Sequence, residues 1–455
     1  MKFNPAAATT FSFVSYSFDE DESTAVFCYR VGERHEFRET YKFRDAKTRL
    51  SGDEKEALDR CLRYLFIVSG ISYYKTTVAS TIVIDPFTLT KEQARFFQSL
   101  YVNGLGEFSY LNKIDVATRV SFPSRASGHH ATIPQLGLRR RTAIPVGGGK
   151  DSVVTIEALK RTGEPICLIS LGNYEPIARV AKCSGLEHLV VTRSIDPLLF
   201  ELNKNGAYNG HVPISAIIAF VMPVAAILYG FDSVALSNER SANLPNVVRD
   251  DGFEVNHQYS KSYDFEERVS DFFADNVLPG FNYFSFLRPL SELAISRLFS
   301  RTKIYDSVFT SCGSSFKSSK ASENGKRRWC LRCHKCRSTF LLLAPFFDRQ
   351  QLIEIFGSNL LDDPEQRDGF RLLIGDGGHK PFECVGSEKE YYAALGMLAK
   401  MPEWKNDDFL KYMTQSDFRE DLSEKYFQEE MTISKNHSLT DKHLALLYEI
   451  CGSQE

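Results

Sequence analysis

Residues 144–154, Ile-Pro-Val-Gly-Gly-Gly-Lys-Asp-Ser-Val-Val, constrain the fold of this 455-residue chain more than any other stretch. A short apolar run, Thr142 to Val146, leads into three glycines. The segment after them carries apolar residues at helical spacing and meets a glycine stop at Gly163. The glycines therefore join a strand to a helix, and Asp151 and Ser152 open that helix. Bare glycine amides and the positive helix end then face one anion. Counting excludes two common phosphate loops. The Walker loop requires glycine at 144, which is Ile144, and a hydroxyl residue after Lys150, which is Asp151. The dinucleotide fingerprint requires a third glycine at 152, which is Ser152.

Around this unit the chain divides into three parts. Residues 1–136 begin with period-two runs, Phe-Ser-Phe-Val-Ser-Tyr-Ser-Phe among them, and read as antiparallel strands followed by helices near 54–69 and 91–101: an N-terminal α+β domain. Residues 122–141, with the basic run at 138–141, read as a linker. Residues 137–340 alternate strand and helix, with strands expected at 142–146, 166–171, 188–192 and 233–237. That pattern predicts a mostly parallel α/β sheet with ligands at the carboxyl ends of its strands. The glycine loop and Ser-Asn-Glu-Arg-Ser-Ala at 237–242 both fall at such ends. Asn238, Glu239, Arg240 and Ser241 are thus expected to face the bound anion, an acidic group there being suited to Mg²⁺. Residues 341–455 read as mainly helical and carry the polar loop Gly-Gly-His-Lys-Pro-Phe-Glu-Cys-Val-Gly at 377–386.

The hydrophobic fraction of 43% suffices for sizeable cores, and the net charge of −3 gives no sign of a nucleic-acid surface. The N-terminal residues lack a signal peptide's sustained apolar core. Val212 to Phe231 is an uncharged run of membrane-spanning length. Pro213, an interrupting Pro223 and Gly230, with a strand-like run just after, favour a helix buried in the α/β part. Ten cysteines with three tightly clustered suggest a metal site in a reducing, cytoplasmic compartment. Cys330, Cys333 and Cys336 can wrap one ion, and Cys312 can complete a tetrahedral zinc shell. An iron–sulfur cluster, His334 in place of one thiolate, and unligated thiols are the other readings of that spacing.

The loop Gly147-Gly148-Gly149-Lys150-Asp151-Ser152 resembles the Ser-Gly-Gly-x-Asp-Ser signature of the PP-loop ATP pyrophosphatases, with Gly147 where the first serine usually stands. The resemblance implies an adenine-nucleotide α-hydrolase-like fold and transfer of AMP from ATP to a substrate oxygen. The Cys-x2-Cys-x2-Cys cluster after Arg-Pro-Leu-Ser-Glu-Leu-Ala-Ile is similar to the deazaguanine nitrile synthases of that superfamily. Longer strings are similar to another family, the UDP-N-acetylmuramoyl-L-alanyl-L-glutamate epimerases of bacterial cell-wall synthesis. They are Gly-Ile-Ser-Tyr-Tyr-Lys at 70–75, Ser-Asn-Glu-Arg-Ser-Ala, residues 254–269, and residues 377–386. This likeness implies ATP- and Mg²⁺-dependent inversion of the terminal glutamyl α-carbon of UDP-MurNAc-L-Ala-L-Glu through an acyl-adenylate, with no nucleic-acid or membrane partner. For the proton transfers Cys384 is the first choice, with His379 or Lys380 as the source of positive charge or the opposite acid and His257 as the other base. An amidating, nitrile-forming or thiolating synthase of the PP-loop type is the second reading and a nucleotide-sensing protein the third. Oligomeric state is left open.

Overall fold

The computed structural model describes residues 2–125, 133, 135–316, 328–415 and 420–452. Residues 126–132 and 134 of the expected linker lie outside the described residues. One nine-stranded sheet organises the molecule. Its strands are β1 (Thr10–Asp19), β2 (Thr24–Val31), β3 (His35–Phe43), β4 (Thr81–Ile84), β5 (Thr142–Pro145), β6 (Ile166–Leu171), β7 (His188–Ser194), β8 (Ser233–Leu236) and β9 (Asn282–Ser285). Their order across the sheet is β9-β8-β5-β6-β7-β3-β2-β1-β4.

The block from β9 to β7 is parallel throughout, as the alternation of strand and helix predicts. Its boundaries fall close to those expected, and β9 goes unread because four residues of Asn-Tyr-Phe-Ser carry no clear period. β1, β2 and β3 are antiparallel, and β2 alternates half-buried and buried side chains along its length. β4 adds to β1 in parallel. β3 then pairs antiparallel with β7, from Thr40 opposite Ser194 to Phe43 opposite Val191, so one sheet runs across residue 136.

Alternating side chains feed two cores. Ala143, Cys167, Ile169, Val191 and Val234 face one core, which holds the aromatic residues of β1 and β2, helix α1 (Gly52–Ser69) and most of the apolar run at 212–231. Ile144, Leu168 and Ala235 face the other, built with the helices of the C-terminal part. That part is helical, as expected, with helices Arg349–Phe356, Glu388–Ala399, Asp408–Gln415, Glu420–Met431 and Asp441–Gly452 among its elements.

The apolar run forms a helix, Ile214–Tyr229, apolar and buried nearly all round and ended by Gly230 in the left-handed region. It continues through Pro223, contrary to the interruption expected. The missing amide costs one backbone bond, and burial on every side holds the helix together. No helix among the described residues is long and apolar enough to cross a membrane.

Within the parallel block the chain goes from β5 outward through β6 to β7, then returns to the opposite side of β5 as β8. The crevice beyond the carboxyl ends of β5 and β8 is therefore a topological switch point, where open α/β sheets bind ligands.

Candidate active site

The glycine loop leaves β5 at this crevice and enters helix α2 (Lys150–Lys160). Gly148 has φ +81°, a conformation that disfavours a side chain, and its carbonyl accepts from the Thr310 amide at 2.9 Å. Gly149 is the extended residue before the helix, and a Cβ there would stand 2.9 Å from Ser311 Oγ. A Cβ at Gly147 would meet open space. No side chain caps α2, so its first amides are left for another partner. The Ser152 hydroxyl donates to the Gly149 carbonyl at 3.0 Å.

A cavity of about 300 Å³ opens over this helix end, lined by Gly147, Gly149, Lys150, Asp151, Ser152, Asn238, Glu239, Lys261, Glu292, Lys335 and Cys384. The loop and Cys384, more than 200 residues apart in sequence, share one chamber. Oxygens of Asp151, Glu239 and Glu292 lie within 4.8 Å of one another, a spacing able to hold a cation. Buried Lys150 donates to Asp151 at 2.5 Å and to Glu292. Burial disfavours the Lys150 charge, yet these two carboxylates keep it protonated above the usual lysine range. Burial pushes the Glu292 carboxyl upward, and the Lys150 charge opposes that rise.

Cys384 is gripped from another side. Lys261 Nζ donates to its sulfur at 3.3 Å, and the His257 ring faces it within hydrogen-bonding reach. Burial would push this thiol up. The positive charges of Lys261 and Lys335 and the bond to His257 outweigh burial and hold it well below the ordinary thiol range. Burial also opposes a charge on His257, but Cys384 and Glu107 raise it to about 9. Both shifts favour the proton on His257 over Cys384.

Other expected site residues are dispersed. Asn238 and Glu239 line the cavity, whereas Arg240 reaches away to Glu430 Oε2 at 2.5 Å and the Thr432 carbonyl at 3.0 Å. Ser241 is buried, its hydroxyl without a hydrogen-bond partner among the described residues. His379 is exposed between Tyr110 and Phe382, with ring centroids 6.4 and 5.4 Å away. Lys380 Nζ is buried with no hydrogen-bond partner among the described residues, and burial lowers its affinity for a proton.

Sulfurs of Cys312, Cys330, Cys333 and Cys336 converge within 4.8 Å, close enough to hold one metal ion, and no disulfide joins them. His334 is not part of this group. Leu331 turns the chain between the first two clustered cysteines at φ +63°. The cluster borders the cavity on two sides. Thr310 and Ser311, just before Cys312, press on the glycine loop. Cys333 precedes helix α3 (His334–Leu343), whose Lys335 lines the cavity and donates its amide to Glu383 at 3.1 Å.

Several functional positions escaped the sequence reading. Lys261, Glu292 and Lys335 lie inside quoted strings yet carried no assigned role. Arg288 is fully buried on Glu266 and donates to the carbonyls of Glu239 at 2.8 Å and Lys261 at 2.6 Å, so one guanidinium fixes two cavity residues. Arg288 and Glu266 both stand inside quoted strings, but only the fold pairs them. Glu107 and His211 have no local signal.

The fold and cavity define an α/β enzyme in which an uncapped helix end, three acidic side chains and Cys384, backed by His257, share one chamber. Residues 2–286 match a family described as the MurL N-terminal domain and residues 308–426 the MurL C-terminal domain. The chain is 40% identical over 409 residues to the UDP-N-acetyl-alpha-D-muramoyl-L-alanyl-L-glutamate epimerase of Xanthomonas oryzae pv. oryzae, covering 90% of both chains. It is 40% identical over 403 residues to the enzyme of that name from Salinispora tropica, covering 87% of this chain and 86% of the relative. The Micromonospora sp. enzyme of that name is 39% identical over 402 residues, covering 87% and 88%. The chain belongs to the MurL family and is an epimerase.

Proposed function

We propose that this epimerase inverts the terminal L-glutamate of UDP-MurNAc-L-Ala-L-Glu to D-glutamate for peptidoglycan synthesis, activating the carboxylate with ATP. The relatives' names supply the substrate. The observation that supports the ATP-dependent mechanism is the shared cavity, lined by both the glycine loop and Cys384.

The chemistry requires both. A proton α to a free carboxylate is very weakly acidic, because its removal puts two negative charges on adjoining atoms. Attack of the carboxylate on the α-phosphorus of ATP gives an acyl-adenylate and releases diphosphate. The substrate carboxyl is then ester-like and bears no charge of its own. Cys384 Sγ takes the α-proton as the Cα–H bond breaks, and the electron pair passes into the activated carbonyl as an enolate. A proton delivered to the opposite face inverts the centre, and water then releases AMP and the epimer. Lys380 is the acid for that face, favoured by its buried Nζ, which has no hydrogen-bond partner among the described residues, whereas His379 is exposed.

The loop is read as a PP-loop of a soluble, cytoplasmic enzyme. Its amides and the end of α2 would hold the phosphates, with Asn238 and Glu239 beside them. The carboxylates of Asp151, Glu239 and Glu292 fit Mg²⁺, which would neutralise phosphate charge there. Four thiolates fit zinc, in a structural role that fixes Ser311 and Lys335 at the cavity wall.

The test is incubation with ATP, Mg²⁺ and the dipeptide substrate in deuterated water. Deuterium at the glutamyl α-carbon with formation of AMP and diphosphate is the expected result. Epimerisation that proceeds at full rate without ATP would overturn the adenylation step.

A further inference from the structure

On the side of His257 away from the loop lies a cluster that the reaction above leaves unused. Glu107, on the short helix Gly106–Asn112, accepts a hydrogen bond from His257 Nδ1. His211 Nδ1 lies 3.6 Å from the same oxygen, and the two imidazole rings are 4.4 Å apart. Glu107 is buried and both histidines nearly so. The His257 amide donates to Asn246 Oδ1 at 2.8 Å, while Asn246 Nδ2 donates to the Pro381 carbonyl at 2.7 Å. One asparagine thus ties the histidine backbone to the loop that carries Cys384.

Donor and acceptor capacity places one proton, that on His257 Nδ1. An ionised carboxylate only accepts, so His257 Nδ1 carries a hydrogen toward Glu107. The other ring nitrogen is left for Cys384. An ammonium only donates, so Lys261 requires the sulfur as acceptor. A thiol donating to the ring and a thiolate accepting from it both satisfy these bonds, and the Lys261 charge on the sulfur with the Glu107 carboxylate behind the ring favours the thiolate. Resting on the epimerase reading above, we propose that Glu107 is the positioning residue of a Cys384–His257–Glu107 triad, with the His211 ring packed beside it. Glu107 orients the ring and balances its charge, so the cysteine is already a thiolate when the activated substrate arrives.

The groups facing this triad are Lys261, Lys335 and Lys380 around Cys384, and His211 beside His257. Two adjacent imidazolium charges oppose each other. Burial, then the His257 charge, lower His211 to about 4, so the neighbour stays neutral at working pH and does not compete for Glu107 as a cation. The lysines remain when Glu107 is changed, so a variant at 107 isolates the triad's own share. Oxygen and nitrogen ligands from Glu107, His211 and His257 also lie within 4.8 Å of one another, and a cation seated there would be the rival arrangement.

Two measurements test the triad on the full-length protein. The first is the pH profile of iodoacetamide alkylation at Cys384, followed by mass spectrometry of its peptide. It needs neither ATP nor substrate. Wild type is expected to react as a thiolate well below neutral pH. Glu107→Gln is expected to move the inflection up by about one pH unit or more, and Glu107→Asp, which keeps the charge, to recover most of that shift. The second is turnover in deuterated water. Glu107→Gln is expected to lower kcat for deuterium uptake about 100-fold with KM and substrate-dependent diphosphate release retained. The triad is overturned by an unshifted alkylation profile in Glu107→Gln. It is also overturned by parallel loss of diphosphate release and melting temperature in both variants. A stoichiometric metal ion lost on His211→Asn but retained on Cys330→Ser would overturn it as well. Wild-type protein with the expected alkylation profile but no deuterium uptake would instead refute the epimerisation chemistry and leave the triad standing.

Discussion

Cys384 is half-buried at the cavity wall, where desolvation alone would keep a thiol neutral, and the cations around it oppose that outcome. Removing the sulfur should therefore separate the two half-reactions. Cys384→Ala is expected to keep substrate-dependent release of diphosphate and AMP while losing solvent deuterium at the α-carbon. A variant that exchanges deuterium at the wild-type rate would remove the thiolate from the mechanism and leave His257 as the base. The thiolate–imidazolium pair also has a linkage signature. His257, raised from 6.5 to about 9, contributes stability present below 6.5 and lost as pH rises through 9. Cys384, depressed from 9.0, contributes stability present above 9 and lost as pH falls toward its folded value. Between 6.5 and 9 the folded pair and the unfolded residues hold the same number of protons, so the two slopes cancel. The unfolding free-energy difference between wild type and a His257→Ala, Cys384→Ala double variant should be flat across that window and shrink below it. Urea unfolding at several pH values measures it, and a steady slope from 6.5 to 9 would contradict the ion pair.

At the scale of elements, the strand–loop–helix unit was legible because glycine and hydrophobic period act locally. Its three glycines are nevertheless unequal. Gly148 sits at φ +81° beside the backbone of Pro176, whereas a side chain at Gly147 would enter open space. Gly148→Ala should cost about 1–2 kcal/mol from the left-handed backbone alone and depress diphosphate release with it. Gly147→Ser should fold and turn over, since a side chain has room here. Calorimetry and a diphosphate assay read both, and equal damage from the two changes would show that space does not set the loop. The cysteine spacing was equally legible, but its consequence was not. Thr310 and Ser311 brace the loop, and Lys335 begins the helix after Cys333, so the cluster borders the reaction chamber from both ends. Cys330→Ser should lower metal content and melting temperature together, with about one zinc per chain in wild type, because such sites contribute folding free energy. Metal-free wild type with an unchanged melting temperature in the variant would sink the zinc assignment.

Across the whole molecule, the chamber is lined by the second and third parts of the chain, and the first part reaches Cys384 only through Glu107 and His257. His257, Lys261 and Cys384 stood inside recognisable strings, yet nothing local marks Glu107 or His211, which reach His257 only through the tertiary fold. The same long-range pairing makes β3 a neighbour of β7 and joins the N-terminal strands to the parallel block. One hydrophobic core accordingly contains Phe11 and Tyr29 from the first part and Val191, Phe220 and Val234 from the second. A chain consisting of residues 137–455 would leave the β7 edge unpaired and uncover the helix Ile214–Tyr229, which is apolar on every side. It would also lack Glu107. The expected outcome is a fragment that aggregates or binds hydrophobic dye and shows no cooperative unfolding, even with zinc supplied. Adding residues 1–136 during refolding should restore a cooperative transition and the thiolate-like alkylation of Cys384 together, because the restored sheet returns Glu107 to His257. A monomeric 137–455 fragment that unfolds cooperatively alone would mean that the second core suffices. The continuous sheet would then serve to deliver Glu107 rather than to hold the parallel block together.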